Sequence, residues 1–510
     1  MRRFTSEDIP EPLPLFEFED QFVTPQPTAY AEPLESVEHH ESHAVGGNLY
    51  NVVPNIGLAR TLSNLVANDY DPELLSYESM LTPDSFEEFN YRPSAQLTFS
   101  SKFESGNLWK AYAVKREYVI PAQFRFQTKT DLEYDLILRP DIHSKGNTQW
   151  YYFKISNKGV NKFPITVRLN IVNMRKEKSL YSQGCRPVIY SSLEQQWRHQ
   201  GNDICYYKNR SMYTLTFTYT FDCLDDIYIA SCYPYTYSDL QKYLSNLQKD
   251  ERKSKFIRRK LLCKSLYQNR CDILTISSPS SPTDYKANKS KPVVVIFGRV
   301  HPGESNGSYV VEGLIDFLVS DCTEAKAVLK VYTFKVVPML NPDGVINGNY
   351  RCSLAGCDLN RRYLDAHKEL HPTISAVKQL LSHLQYTRGV SLFLDIHGHS
   401  AKKNTFIYGC DASLEQKRSQ KRFIPRPPTQ FHSQRIFSRL FPRVLAHISN
   451  HFSYRDCNYR VQLSKSGTGR VTSWKSVGIP AAYTVEVSLC GNLYILSISI
   501  TIFNNFLCVE

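Results

Sequence analysis

The feature that most constrains this chain is a change of hydrophobic period near residue 240. Before it, apolar residues recur at every second position. Phe163, Ile165, Val167, Leu169 and Ile171 alternate with Pro164, Thr166, Arg168 and Asn170. Tyr213, Leu215, Phe217, Tyr219 and Phe221 alternate with four threonines, and Leu132, Tyr134, Leu136 and Leu138 repeat the pattern. A period of two gives a pleated strand one buried face. Several such strands between about 95 and 235, with no long helical pattern among them, predict a small antiparallel β-sandwich.

Beyond residue 240, strand and helix patterns alternate. Val293–Gly298 is a continuous apolar run, as in a strand buried on both faces. Asn306–Leu318 sets Val310, Val311, Leu314, Ile315 and Leu318 along one helical face. Ile374, Val377, Leu380, Leu381 and Leu384 mark another helix; Val331–Leu340, Ser391–Ile396 and Ala482–Leu489 read as strands. The basic stretch Asp250–Lys264 reads as helical. This alternation predicts an α/β fold whose mixed sheet is at least partly parallel and flanked by helices.

The 510 residues suit two or three domains. Residues 1–75, rich in proline and acid, are expected to be a tail without a packed core. The sandwich is expected over 76–238, the α/β domain over 239–491, and an apolar end over 492–510. Leu493–Cys508 lacks charge but is short and broken by Asn504 and Asn505. A membrane helix needs about 20 predominantly apolar residues, so no membrane span is expected. The 13 cysteines form no CxxC pair, and no basic-then-apolar leader opens the chain. Both point to a reduced, cytosolic setting. Residues 1–43 hold ten Asp/Glu against two Arg, a net −8; the whole chain carries +12, so the remainder carries +20. A basic body suits an anionic partner, whether nucleic acid, membrane surface or acidic polypeptide. The acidic tail is expected either to visit the same basic surface as an acidic substrate or only to solubilise the chain without contacts.

In open α/β sheets ligands bind beyond the carboxyl ends of strands. The run ending at Gly298 leads into His301-x-x-Glu304, the strand Ser391–Ile396 of SLFLDIHGH leads into His397, and the last strand contains Glu486. Two histidines and a carboxylate leave a fourth zinc position for water. Asp395, two residues before His397, either orients a ligand or caps a loop, and His399 is the alternative ligand. Arg351 is either a surface arginine or a stabiliser of an oxyanion beside the metal. Asn360 and Arg361 are either loop residues or a grip for a carboxylate. A site that grips a free carboxylate is an exopeptidase site.

These residues resemble the cytosolic carboxypeptidases, zinc metallocarboxypeptidases that process tubulin tails. The similarity lies in FESGNL (Phe103–Leu108), TQWYYFKISN (Thr148–Asn157), YPYTYSDL (Tyr233–Leu240), RVHPGESNGS (Arg299–Ser308), MLNPDGVINGNYRCSLAG (Met339–Gly356), DLNR (Asp358–Arg361), DIHGHS (Asp395–Ser400), GTGR (Gly467–Arg470) and Glu486. The resemblance implies a metallocarboxypeptidase-like catalytic domain behind a β-sandwich, with one zinc ion on His301, Glu304 and His397. It implies Glu486 as general base, Arg351 as polariser of the scissile carbonyl, and Asn360 with Arg361 as holders of the terminal carboxylate. It further implies removal of C-terminal glutamates from acidic protein tails such as tubulin's. The partner is then protein, not nucleic acid or membrane, in the cytoplasm at microtubules, centrioles or cilia. Secreted relatives carry a tyrosine on a loop before the catalytic glutamate. Here no tyrosine lies between Arg460 and Ala482. Arg470, in that stretch, is expected either to read a glutamate side chain or to form a structural salt bridge. Two other functions remain open at this stage: a catalytically impaired microtubule-binding relative, and a zinc deacylase of small N-acyl amino acids.

Overall fold

A computed structural model describes residues 97–113, 130–144, 146–209, 211–279, 290–411, 414 and 428–489. The acidic tail and the apolar end lie outside the described residues. Two five-stranded sheets build the N-terminal half. One has the order β1 (Thr98–Ser100), β4 (Tyr152–Ser156), β10 (Asp226–Ala230), β6 (Val188–Ser191), β7 (Gln196–His199). The other runs β2 (Lys110–Ala113), β3 (Leu132–Ile137), β5 (Ile165–Met174), β9 (Met212–Phe221), β8 (Asn202–Asn209). All pairs are antiparallel except β3–β5, which is parallel. The alternating residues do what their period requires. Val167, Leu169 and Ile171 of β5 and Leu215 and Phe217 of β9 pack with Phe153, Ile155, Ile227 and Ile229 of the facing sheet.

The second half is a seven-stranded mixed sheet in the order β11 (Ile257–Lys264), β12 (Arg270–Ile276), β14 (Thr333–Val337), β13 (Val293–Gly298), β15 (Val390–His399), β17 (Ala482–Ser488), β16 (Thr405–Tyr408). The four central strands, β14, β13, β15 and β17, are parallel. Every residue of β13 is buried, which explains its lack of alternation. Helices cover both faces. The helix Asn306–Leu318 packs through Val310, Val311, Leu314 and Ile315 on one side, and Pro372–Thr387 through Ile374, Val377 and Leu381 on the other. Each such apolar side chain contributes about 1.5–3 kcal/mol when fully buried.

One expectation fails. The basic stretch Asp250–Lys264 is not a helix. The helix ends at Lys249, a short turn covers Lys253–Lys255, and Ile257–Lys264 is edge strand β11. Its cations do not form a helical stripe; Arg259 crosses to Asp272 of β12 at 2.8 Å. A neighbouring strand with an unpaired edge decided the conformation, which local propensity cannot register.

Candidate functional site

The site lies at the carboxyl ends of the parallel strands. After β13 the backbone turns sharply at Arg299 (φ 57°) and delivers His301 and Glu304 before the helix at Asn306 begins. Arg299 is buried and staples this turn, its Nε donating to the Pro302 carbonyl (2.7 Å) and its Nη1 to the Tyr235 carbonyl (2.9 Å) and the Ser308 hydroxyl (2.8 Å). β15 brings His397, and in register directly opposite it on β17 stands Glu486. Gly398 is required by crowding, since a Cβ there would lie 2.3 Å from Asn306 Oδ1 and 3.0 Å from Glu304 Cβ.

The ligand atoms of His301, Glu304 and His397 all lie within 4.8 Å of one another, and all three residues are buried. His301 Nδ1 is 2.9 Å from Glu304 Oε1, His397 Nδ1 is 3.0 Å from Glu304 Oε2, and the two Nδ1 atoms are 3.0 Å apart. The outer ring nitrogens face carboxylates: His301 Nε2 lies 3.0 Å from Asp358 Oδ1, and His397 Nε2 lies 2.9 Å from Asp395 Oδ2. The Asp395 oxygens are close enough for charge pairing but outside hydrogen-bond geometry. With its Nε2 protonated toward Asp358, His301 turns its Nδ1 lone pair toward a point beside Glu304 that His397 Nδ1 also faces. That donor set fits a zinc ion, and outer carboxylates of this kind fix ligand tautomers. Burial opposes charge on Glu304, but the two imidazoles outweigh it and hold its carboxyl well below the usual range. His399 is not part of the cluster; its Nδ1 accepts from the backbone N–H groups of Ala401 and Lys402.

Glu486 is partly buried. Burial pushes its carboxyl up to about 7, with Glu304 and Asp395 adding to the rise and the two histidines opposing it. Arg351 donates from Nε to Asp358 Oδ2 at 2.8 Å, and its Nη2 lies 2.7 Å from the same oxygen. Arg361 lies 3.8 Å from that oxygen and donates to the Asn360 carbonyl at 2.8 Å. The Asn360 side chain is buried, its Oδ1 accepting from the Gly469 N–H (2.9 Å) and its Nδ2 lying 3.1 Å from His397 Nε2. Arg470 is buried too, but it donates to the Gly409 carbonyl and lies 3.4 Å from Cys410 Sγ. A structural salt bridge, one of the two roles expected for it, is not seen among the described residues. The Tyr408 hydroxyl, raised by burial to about 12, feels Glu486 and Arg470 together.

Three contributors went unassigned in the sequence. Asp358 lay inside the DLNR stretch without a role, and its spacing to Arg361 was the available signal. Arg299 preceded HxxE and carried no signal of burial. Lys465 lies near the arginines: burial lowers its ammonium, Arg361 and Arg351 lower it further, and Asp358 and Glu486 oppose.

Parallel strands that deliver two imidazoles and a carboxylate to one point, with a second carboxylate across the register, make the architecture of the single-metal peptidases. Residues 240–504 match the zinc carboxypeptidase family, and residues 99–231 match the cytosolic carboxypeptidase N-terminal domain. The chain belongs to the zinc carboxypeptidase family, among the cytosolic carboxypeptidases, and its cofactor is zinc. It is 41 % identical over 409 residues to mouse cytosolic carboxypeptidase 3, covering 78 % of this chain and 37 % of that protein. Human cytosolic carboxypeptidase 2 is 41 % identical over 410 residues, covering 78 % of this chain and 41 % of its own length. The chain therefore spans about two fifths of these relatives. In fold it resembles a metallo-carboxypeptidase from Burkholderia cenocepacia (TM-score 0.62, 20 % identity, 81 % of this chain and 98 % of the other). A metallo-carboxypeptidase from Pseudomonas aeruginosa is similar (TM-score 0.57, 19 % identity, 80 % and 98 %). Among the described residues no helix is long and apolar enough to cross a membrane.

Proposed function

We propose that this chain is a zinc carboxypeptidase that removes C-terminal glutamates from acidic protein tails, tubulin's being the model substrate, in the cytoplasm. The observation that carries the proposal is the placement of Arg351, Arg361 and Lys465 around Asp358, beside a zinc-fitting cluster faced by Glu486. Such a set suits a substrate with a free terminal carboxylate next to the scissile bond.

His301, Glu304 and His397 would hold the ion, with Asp358 orienting the His301 imidazole and Asp395 setting a negative charge beside that of His397. Bound zinc supplies Lewis acidity and lowers the pKa of its water to about 7. Glu486 takes a proton from the attacking water onto its carboxylate and hands it to the leaving amine. Arg351 donates N–H groups to the oxygen that gains charge at the scissile carbonyl. Arg361 holds the terminal carboxylate in a planar, charge-assisted pair; Asn360, expected to share that grip, spends its amide oxygen on the Gly469 N–H and fixes the loop instead. Arg470, with Tyr408, and Lys465 are the groups placed to read the glutamate side chain.

The test is metal analysis of the purified protein followed by release of free amino acid from two matched peptides, one ending in glutamates and one in leucines. Stoichiometric zinc and release from the glutamate peptide, lost on chelation and restored by zinc, are expected. Equal release from both peptides would refute the acidic preference; no release with zinc bound would refute the enzyme.

A further inference from the structure

The loop that carries Arg351 is held from the other half of the molecule. Asp141 follows β3 of the sandwich and is 2 % exposed. Its Oδ1 accepts the Tyr350 N–H at 2.5 Å, and its Oδ2 accepts the Arg351 and Cys352 N–H groups, both at 2.7 Å. Three successive backbone donors thus close on one carboxylate. Burial pushes that carboxyl up to about 6, and the three N–H bonds pull it back. The same loop is gripped on both flanks. Ser105 donates from its N–H to the Ile346 carbonyl (2.9 Å) and from its hydroxyl to the Val345 carbonyl (2.7 Å). Gly356, at φ +69°, presses on the His143 carbonyl so closely that a Cβ would lie 2.2 Å away.

We infer that Asp141 is a positioning residue for Arg351, so that the β-sandwich completes the catalytic site of the other domain. The inference rests on the carboxypeptidase reading for its catalytic consequence, though not for its structural one. The physical reason is direct. Arg351 meets Asp358 through its side chain and Asp141 through its backbone, and both ends must be fixed for the guanidinium to meet a developing oxyanion. A misplacement of about 1 Å at such a group can cost on the order of 100-fold. Nothing else in the catalytic domain offers a buried carboxylate to the 350–352 backbone among the described hydrogen bonds.

The test is a double-mutant cycle on the zinc-loaded full chain with Asp141→Asn, Arg351→Ala and the pair, read by kcat and KM on a glutamate-tailed peptide. Asp141→Asn is expected to lower kcat about 10- to 100-fold with KM within about twofold and zinc content unchanged. In the Arg351→Ala background it should cost less than about twofold, because the group it positions is gone. Equal losses in both backgrounds would overturn the inference and leave Asp141 a general structural residue. Hydrogen exchange of the segment 347–354 supplies a readout independent of activity. Faster exchange there in Asp141→Asn, with the rest of the zinc-loaded protein unchanged, is expected; unchanged exchange would overturn the clasp. Should Asp141→Asn fail to fold, Asp141→Ser, which keeps one acceptor, enters the same comparisons. Should the wild type release no amino acid from any peptide acid, the proposed function falls, and the exchange measurement still decides whether Asp141 holds the loop.

Discussion

Asp358 divides its carboxylate between two tasks. Oδ1 lies against His301 Nε2 and the Asn360 N–H, and Oδ2 against Arg351. Burial would raise its carboxyl, but His301, Arg351 and Arg361 hold it well below the usual range. The side chain that steadies the imidazole therefore also aims the arginine. Among the described hydrogen bonds none ties the Glu486 carboxylate in this way; it faces the cluster across the β15–β17 register. The account predicts that Glu486→Gln keeps fold and zinc content but lowers kcat by at least about 100-fold, the range for losing a general base. Turnover at the wild-type rate in a zinc-loaded mutant would remove Glu486 from that role. His301, Glu304 and His397 were legible because each follows an apolar strand run, and Glu486 because it lies inside one. Asp358, Arg299 and Lys465 were not, because their partners are set by loop folding that no periodicity encodes.

At the scale of elements, the misread stretch is β11. IRRKLLCK has an apolar spacing compatible with either a short helix or an edge strand, and only the open edge of β12 decides between them. Next along the sheet, β14 carries Lys335 inward, where it donates to Thr275 Oγ1 of β12 at 2.7 Å. Burial lowers its ammonium to about 8, and Arg388, Lys260 and Arg258 push in the same direction. An ammonium whose folded value lies below its unfolded one opposes folding while it stays charged. Wild-type stability should therefore rise as pH climbs through about 8 toward the unfolded value of 10.5. Lys335→Met is predicted to stabilise the protein by about 1–3 kcal/mol at pH 7, less whatever the Thr275 bond contributes. Denaturant unfolding at pH 7 and pH 10 checks this: the advantage should shrink at the higher pH. An advantage that is absent at pH 7, or that grows at pH 10, would contradict the assignment of strain to Lys335.

At the scale of the molecule, the two halves meet at the site as well as beside it. The change of period near residue 240 announced a β-sandwich and an α/β sheet, and both are present with strands close to their expected positions. Their docking was not legible. Asp141 is an ordinary acid after a strand in the sequence, and its partners are 209 to 211 residues away. Lys176 of the sandwich also reaches across, donating to Ser400 Oγ at 2.9 Å just beyond the ligand strand β15. Contacts of this length depend on how two finished surfaces fit, so a local pattern holds no trace of them. At the centre of the proposed function is the grip of Arg361 on a free terminal carboxylate beside a zinc-fitting cluster. Its most direct measurement compares kcat/KM of the zinc-loaded protein on one glutamate-tailed peptide prepared as the acid and as the C-terminal amide. The account predicts cleavage of the acid and a loss of at least about 100-fold for the amide, since Arg361 would face a neutral group where a charge-assisted pair is needed. Equal cleavage of acid and amide would contradict it.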